Sequence, residues 1–285
     1  MAIVISGKEL AKSKKIKMAE EVKSFESLYG RLPHLAVILV GENPGSISYV
    51  KGKEKASEEV GFINTTIRKP DTISELELLD IIDKLNKDVL VDGILVQLPL
   101  PKHINSDKVI QSIRKDKDVD GFHFENVASL YLKRSGIVSC TPKGILEILD
   151  SIDYPIEGKH AVVIGRSNIV GMPVSKLLLD RNATVTICHS RTKDLASITR
   201  QADILVAAVG RANFVTADMV KEGAVVIDVG VNRTPGTNKL CGDVKFDEVE
   251  PKVSYITKVP GGVGPMTICC LMENTIECYL KHVKE

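Results

Sequence analysis

The sequence predicts a two-domain α/β protein, each half a parallel sheet with helices alternating between its strands. Three observations carry that expectation. Uninterrupted apolar runs at Leu35–Val40 and Gly93–Gln97 alternate with charged, helix-forming stretches in the first half, the pattern of strands buried on both faces and linked by crossover helices. At Lys159–Pro173 the run His160-Ala161-Val162-Val163-Ile164 breaks into Gly165-Arg166-Ser167, passes Val170-Gly171-Met172-Pro173 and reopens as a helical pattern at Val174, Leu177 and Leu178. Such a strand–turn–helix unit suits phosphate binding by backbone N–H groups. Finally, 285 residues, 44% apolar and 26% charged, are enough for two domains with a core each.

Composition also excludes partners. Thirty-eight basic against thirty-seven acidic residues leave a formal charge of +1, which offers no overall attraction to nucleic acid or to an anionic membrane. A small molecule is the expected partner. The amino terminus reaches Gly7 and Lys8 before a signal-length apolar segment forms, and no window approaches membrane-spanning length, so a cytoplasmic location is expected. The six cysteines form no CxxC pair and no metal-type spacing with histidine; buried, reduced thiols are expected, with neither disulfides nor zinc.

In chain order, Ser6–Leu28 reads as a surface helix and Leu35–Val40 as the first buried strand. Asn43-Pro44 supplies an N-cap and a first-turn proline for a helix over Ser46–Glu59 that stops near Gly61. A strand at Phe62–Ile67, a helix at Ser74–Asn86 and a strand at Gly93–Gln97 continue the alternation. The proline-stiffened Leu98-Pro99-Leu100-Pro101 cannot extend the ladder, and a helix over Ser106–Ile113 follows. Periodicity fades between Arg114 and Cys140, where the domain crossover is placed. Residues 1–139 form the expected first domain and 140–265 the second, and a helix from 266 to the end packs back on the first. In the second domain Thr141-Pro142 opens a helix to about Ile152. Strands follow at Ala161–Gly165, Thr184–Cys188, Ile204–Ala207, Val225–Val229 and Ser254–Thr257, giving a doubly wound, Rossmann-type sheet.

The glycine turn reads G-x-S-x-x-x-G-x-P rather than the general G-x-G-x-x-G, so on pattern alone an ordinary strand–helix turn competes with a dinucleotide site. The next strand informs the choice. Its end, Cys188-His189-Ser190-Arg191-Thr192, lacks the carboxylate that binds ribose hydroxyls in NAD enzymes and has none before Asp194. Arg191, Ser190 and Arg166 instead suit the 2′-phosphate of NADP; a solvated basic turn is the plainer reading.

In the first domain Tyr49 and Lys53 stand four residues apart on one helix face, roughly 6 Å along its axis. Lys51 and Lys55 have Glu58 and Glu59 within helical reach, as ordinary surface pairs do. A tyrosine packed over a lysine stem is the commoner origin of such spacing, but the start of this helix, Gln97 and the Asp120 connection all belong at the carboxyl ends of strands, where ligands gather in open parallel sheets. Short-chain dehydrogenases share Tyr-x-x-x-Lys, yet carry it after their glycine turn, the reverse of the order here.

The chain resembles the bifunctional methylenetetrahydrofolate dehydrogenase/methenyltetrahydrofolate cyclohydrolase family over essentially its whole length. The resemblance rests on Tyr49-Val50-Lys51-Gly52-Lys53, Asp92–Pro101, Lys117-Asp118-Val119-Asp120-Gly121, Cys140-Thr141-Pro142, Gly165-Arg166-Ser167 with Val170–Pro173, His189-Ser190, Asp228-Val229-Gly230 and Pro260–Thr267, in one order. It implies an N-terminal folate-binding, catalytic domain and a C-terminal Rossmann-type NAD(P)-binding domain. Lys53 would assist water attack on the methenyl bridge, Gln97 orient Lys53, Tyr49 stack along the folate, and Asp120 accept hydrogen bonds from the pterin's amino edge; on spacing alone Asp120 reads as a loop cap before Gly121. Leu98, Pro99, Gly262 and Pro265 would complete the tetrahydrofolate site. Gly165, Arg166, Ser167, Ser190, Arg191 and Val231 would bind NADP, Val231 standing where isoleucine is expected. One cleft would serve both reactions, in a homodimer and without metal. Two alternatives stay open: another two-domain dehydrogenase, of the shikimate type, and a non-catalytic dinucleotide sensor.

Overall fold

In a computed structural model, which describes residues 1–234 and 239–284, the alternating apolar runs become two separate parallel sheets. The elements begin with β1 (Ile3–Ile5), α1 (Gly7–Val22), α2 (Phe25–Tyr29), β2 (His34–Val40), α3 (Pro44–Val60), β3 (Ile63–Lys69), α4 (Glu75–Lys87) and β4 (Gly93–Val96). Then come α5 (Ser106–Ser112), α6 (Phe124–Tyr131), α7 (Cys140–Asp150), β5 (His160–Ile164), α8 (Gly171–Asp180), β6 (Thr184–Cys188), α9 (Leu195–Thr199) and β7 (Ile204–Ala207). The chain finishes with β8 (Val225–Asp228), β9 (Asn232–Arg233), β10 (Leu240–Cys241), α10 (Phe246–Val249), β11 (Tyr255–Thr257) and α11 (Val263–His282). Two compact units result: Lys12–Cys140 with the residues from Ile268 onward, and Met1–Ala11 with Thr141–Thr267.

In the first of these units the sheet order is β3-β2-β4, all parallel, with β2 in the centre. Leu35 to Val40 are all buried, as a strand covered on both faces requires. The chain passes from β2 to β3 on one side and then crosses to β4 on the other, and such a reversal puts a ligand position at the carboxyl ends of the strands. The Asn43 side chain caps α3 by accepting from the N–H groups of Gly45 (2.9 Å) and Ser46 (3.1 Å), and Gly61 ends it at φ 84°. Beyond β4, Ile94 donates to the Lys117 carbonyl (2.7 Å) and bridges Asp118 in parallel, so Asp120 is carried alongside the carboxyl end of β4. At the amino end of β4 Asp92, fully buried, accepts two hydrogen bonds from Arg31 (2.6 and 2.7 Å), one from the His34 N–H (3.0 Å) and pairs with His282 of α11 (3.0 Å).

The second unit's sheet runs β1-β11-β8-β7-β5-β6, parallel throughout, and its order reverses at β5.

Four local expectations need correction. The first eleven residues group with the nucleotide-type sheet, through β1, rather than with the first domain. Only three residues long and with Ile3 and Val4 exposed, β1 has no buried stripe to announce it. The expected helix over Ser6–Leu28 is broken at Ser24, whose N–H and Oγ both donate to the Glu21 carbonyl. Helix α6 lies where no periodicity is evident, because eight residues are too few for a helical stripe to register. Helix α7 starts at Cys140, so Thr141 is inside it; its hydroxyl pairs with that of Thr267 (3.0 Å) instead of capping.

Candidate active site

Lys53 lies in the middle of α3 on the face turned to the sheet, and only 6% of it is exposed. Its Nζ donates to Gln97 Oε1 (2.9 Å), on the residue that follows β4. Gln97 in turn donates its Nε2 to the Leu98 carbonyl (2.7 Å), which commits the nitrogen end of the amide and leaves the oxygen end for the lysine. Burial pulls the Lys53 ammonium below its ordinary range, against the opposing pull of Asp120 and Cys140. Tyr49, one turn earlier, is half-buried, and that burial raises its hydroxyl's pKa. Of the neighbouring lysines, Lys55 is exposed and pairs with Glu59 at 3.8 Å.

Asp120 completes this group. Burial pushes its carboxyl up to about 6, the Lys53 charge pulling the other way and Asp118 adding to the rise. The capping role considered for Asp120 is filled by Asp118, which accepts from Gly121 N (3.1 Å), His123 N (2.7 Å) and Asn126 Nδ2 (2.9 Å). Asp120 is thereby released from the turn. The segment is fixed from behind by Asn274 of α11, fully buried, whose Nδ2 donates to the carbonyls of Val119 and Val138 (2.9 Å each). Cys140 Sγ lies 3.3 Å from the Val119 carbonyl and 4.0 Å from Asp120 Oδ1. Leu98 and Pro99 follow Gln97 directly, half-buried and exposed.

In the other unit Gly165 ends β5 at φ 128°, and a Cβ there would meet the Ala208 carbonyl oxygen at 2.3 Å; one at Gly171 would meet the Gly165 carbonyl oxygen at 2.3 Å. Side chains at either position would fill the turn, so a cradle open to phosphate needs both glycines. Ser167 takes the place of the middle glycine and caps α8: its Oγ accepts from Val170 N (3.2 Å) and Gly171 N (3.3 Å). Arg166 follows β5, and Ser190 and Arg191 follow its neighbour β6, all three exposed. Arg191 donates its backbone N–H to His189 Nδ1 (3.1 Å). Val231 follows β8 and is 46% exposed. Gly262, buried, and Pro265, half-buried, lie in this unit, at and near the start of α11.

Two family models match the chain: the catalytic domain of tetrahydrofolate dehydrogenase/cyclohydrolase over residues 5–120 and the NAD(P)-binding domain of the same family over residues 139–283. The chain belongs to this family. It is 52% identical to the bifunctional protein FolD of Streptococcus thermophilus, covering 100% of both chains. Among solved structures, a bifunctional FolD enzyme from Campylobacter jejuni matches with a TM-score of 0.96 at 48% identity, covering 99% of each chain. The Trypanosoma brucei methylenetetrahydrofolate dehydrogenase-cyclohydrolase, solved with NADP cofactor and an inhibitor, matches with a TM-score of 0.96 at 38% identity, covering 100% of this chain and 99% of that one.

Within this family fold, Tyr49, Lys53, Gln97 and Asp120 come from α3, the end of β4 and the strand-like segment beside it, all in one unit. Asp118, Asn274 and Cys140 escape a reading based on sequence. Asp118 and Cys140 sit inside family motifs without a separable signal of their own, and Asn274 lies 134 residues from Cys140, a pairing no local pattern reveals. The six cysteines are free thiols, five of them buried.

Proposed function

We propose that this chain oxidises 5,10-methylenetetrahydrofolate with NADP to 5,10-methenyltetrahydrofolate and hydrolyses that product to 10-formyltetrahydrofolate. The observation that carries the reading is a buried Lys53 held by Gln97 beside Asp120 at the carboxyl ends of a parallel sheet. In hydrolysis, water adds to the cationic bridge carbon, gives up a proton, and a carbon–nitrogen bond of the bridge breaks. Lys53 assists by accepting that proton, which requires its amine form; burial favours that form, and a cationic substrate beside it favours it further. Gln97 aims the amine, Tyr49 holds the folate against the helix, and the Asp120 carboxylate accepts from the pterin's amino edge. Leu98 and Pro99, directly after Gln97, contribute to the folate site.

The dehydrogenase step asks for distance and orientation more than for acid–base groups. NADP, when bound, accepts the hydride. Gly165, Arg166 and Ser167 receive its phosphates, Ser190 and Arg191 with Arg166 take the 2′-phosphate, and Val231 contacts it through its backbone. The close-packed glycine cradle supports a dinucleotide, and the absence of a carboxylate at the end of β6 supports NADP over NAD. We place the activity in the cytoplasm, in a homodimer that supplies one-carbon units to purine, histidine and methionine synthesis. A steady-state assay of both reactions with NADP and NAD tests the reading: both activities with a preference for NADP are expected, and NADP binding without turnover would instead make the chain a dinucleotide sensor.

A further inference from the structure

Two buried carboxylates, Asp228 at the end of β8 and Asp243 just after β10, spend nearly all their acceptor capacity on loop backbone. Asp243, fully buried, accepts from Val209 N (2.6 Å), Gly210 N (3.0 Å), Arg211 N (2.8 Å) and Asn232 Nδ2 (2.9 Å). Three successive N–H groups around one carboxylate make a nest turned inward. Asp228 accepts from Gly230 N (3.0 Å), Asp243 N (2.8 Å) and Val244 N (3.0 Å). The fit leaves no slack. A Cβ at Gly230 would fall 2.1 Å from Asp243 Oδ1, and one at Gly242 would fall 1.7 Å from Asp228 Oδ2.

The loops so held follow β7 and β8. Because a peptide unit is planar and trans, turning the Val209 N–H toward Asp243 sends the Ala208 carbonyl the opposite way, and that oxygen is the atom a Cβ on Gly165 would strike. Asp243 therefore sets a peptide that lines the dinucleotide turn. β6, with Ser190 and Arg191 at its end, lies on one side of β5, and β7 and β8 lie on the other. A dinucleotide bound across the reversal with its 2′-phosphate near β6 extends its nicotinamide half over β7 and β8.

We propose that Asp243 and Asp228 are positioning residues for hydride transfer, clamping the loops after β7 and β8 in the conformation that orients the nicotinamide half of the cofactor. The inference rests on the NADP-dependent oxidation proposed above. Asp243→Asn tests it, since the new amide nitrogen is a donor set against existing donors while size and shape are kept. Three quantities are read: dehydrogenase kcat, the inhibition constant of 2′,5′-ADP, which occupies only the adenosine half, and cyclohydrolase activity without dinucleotide, for which Lys53, Gln97 and Asp120 of the other unit are proposed. The expected result is a fall of tenfold or more in dehydrogenase kcat, with the other two within twofold of wild type. An unchanged kcat, or weakened 2′,5′-ADP inhibition in step with kcat, overturns the inference, the latter because it marks a general loosening of the unit. If Asp243→Asn does not fold, Asn232→Ala removes one of the four donors; a roughly threefold fall in kcat alone is expected, and no fall overturns the proposal. Wild-type protein that hydrolyses the methenyl compound but never reduces NADP would overturn the oxidation reading itself, before any variant is made.

Discussion

Lys53 and Asp120 take opposite shifts from the same burial, and each is pulled back by the other's charge. For Asp120 the consequence is measurable. Its carboxyl is pushed up to about 6, so it is ionised above that pH and protonated below it. In the role proposed for it the ionised form accepts from the pterin, so the KM for the folate substrate is expected to rise as pH falls through about 6. Asp120→Asn should flatten that dependence; KM measured across the acid-to-neutral range for both proteins checks it, and an unaltered inflection in the variant would assign the titration elsewhere. At this scale the sequence was only partly legible. Four-residue spacing put Tyr49 and Lys53 on one face, but which aspartate caps the turn and which is free depends on hydrogen bonds from His123 and Asn126, and spacing alone does not separate Asp118 from Asp120.

At the scale of elements, the sequence marked several strands closely: β6 and β7 match expectation at both ends and β2 to one residue. Inside their sheets, β2 and β7 are buried on both faces and so carry unbroken hydrophobic patterns, whereas β6 is an edge strand and mostly half-buried. Elements with weaker burial, β1 and α6, went unmarked. The support of the Asp120 segment by α11 was equally hidden, since it rests on one amide, Asn274. Asn274→Leu keeps the branched shape but leaves the Val119 and Val138 carbonyls without this donor. Val119 keeps the Cys140 thiol as a donor, so a loss of about 1–3 kcal/mol is expected from the Val138 carbonyl, read as a fall in unfolding temperature of several degrees; an unchanged melting curve would mean that this carbonyl finds another partner. The turns after β5 and β6 are the ones proposed to set cofactor choice. Arg166→Ala with Arg191→Ala should lower kcat/KM for NADP at least tenfold while changing that for NAD little, since each charge-assisted hydrogen bond to phosphate contributes about 1.5–3 kcal/mol. A preserved ratio would remove the 2′-phosphate from this site.

For the whole molecule, the residues proposed for hydrolysis and those proposed to hold the dinucleotide belong to different compact units of one chain. The loss of periodicity after Arg114 is where the sequence places the domain crossover, and nothing in it announces that the first eleven residues join the nucleotide-type sheet. Separate placement makes the two functions separable by mutation. The most direct test is Lys53→Met, which keeps a long apolar stem and removes the amine. Cyclohydrolase activity on the methenyl compound should be abolished, while NADP titrates the variant with the affinity it has for wild type; retained hydrolysis would contradict the assignment of Lys53 as the catalytic group.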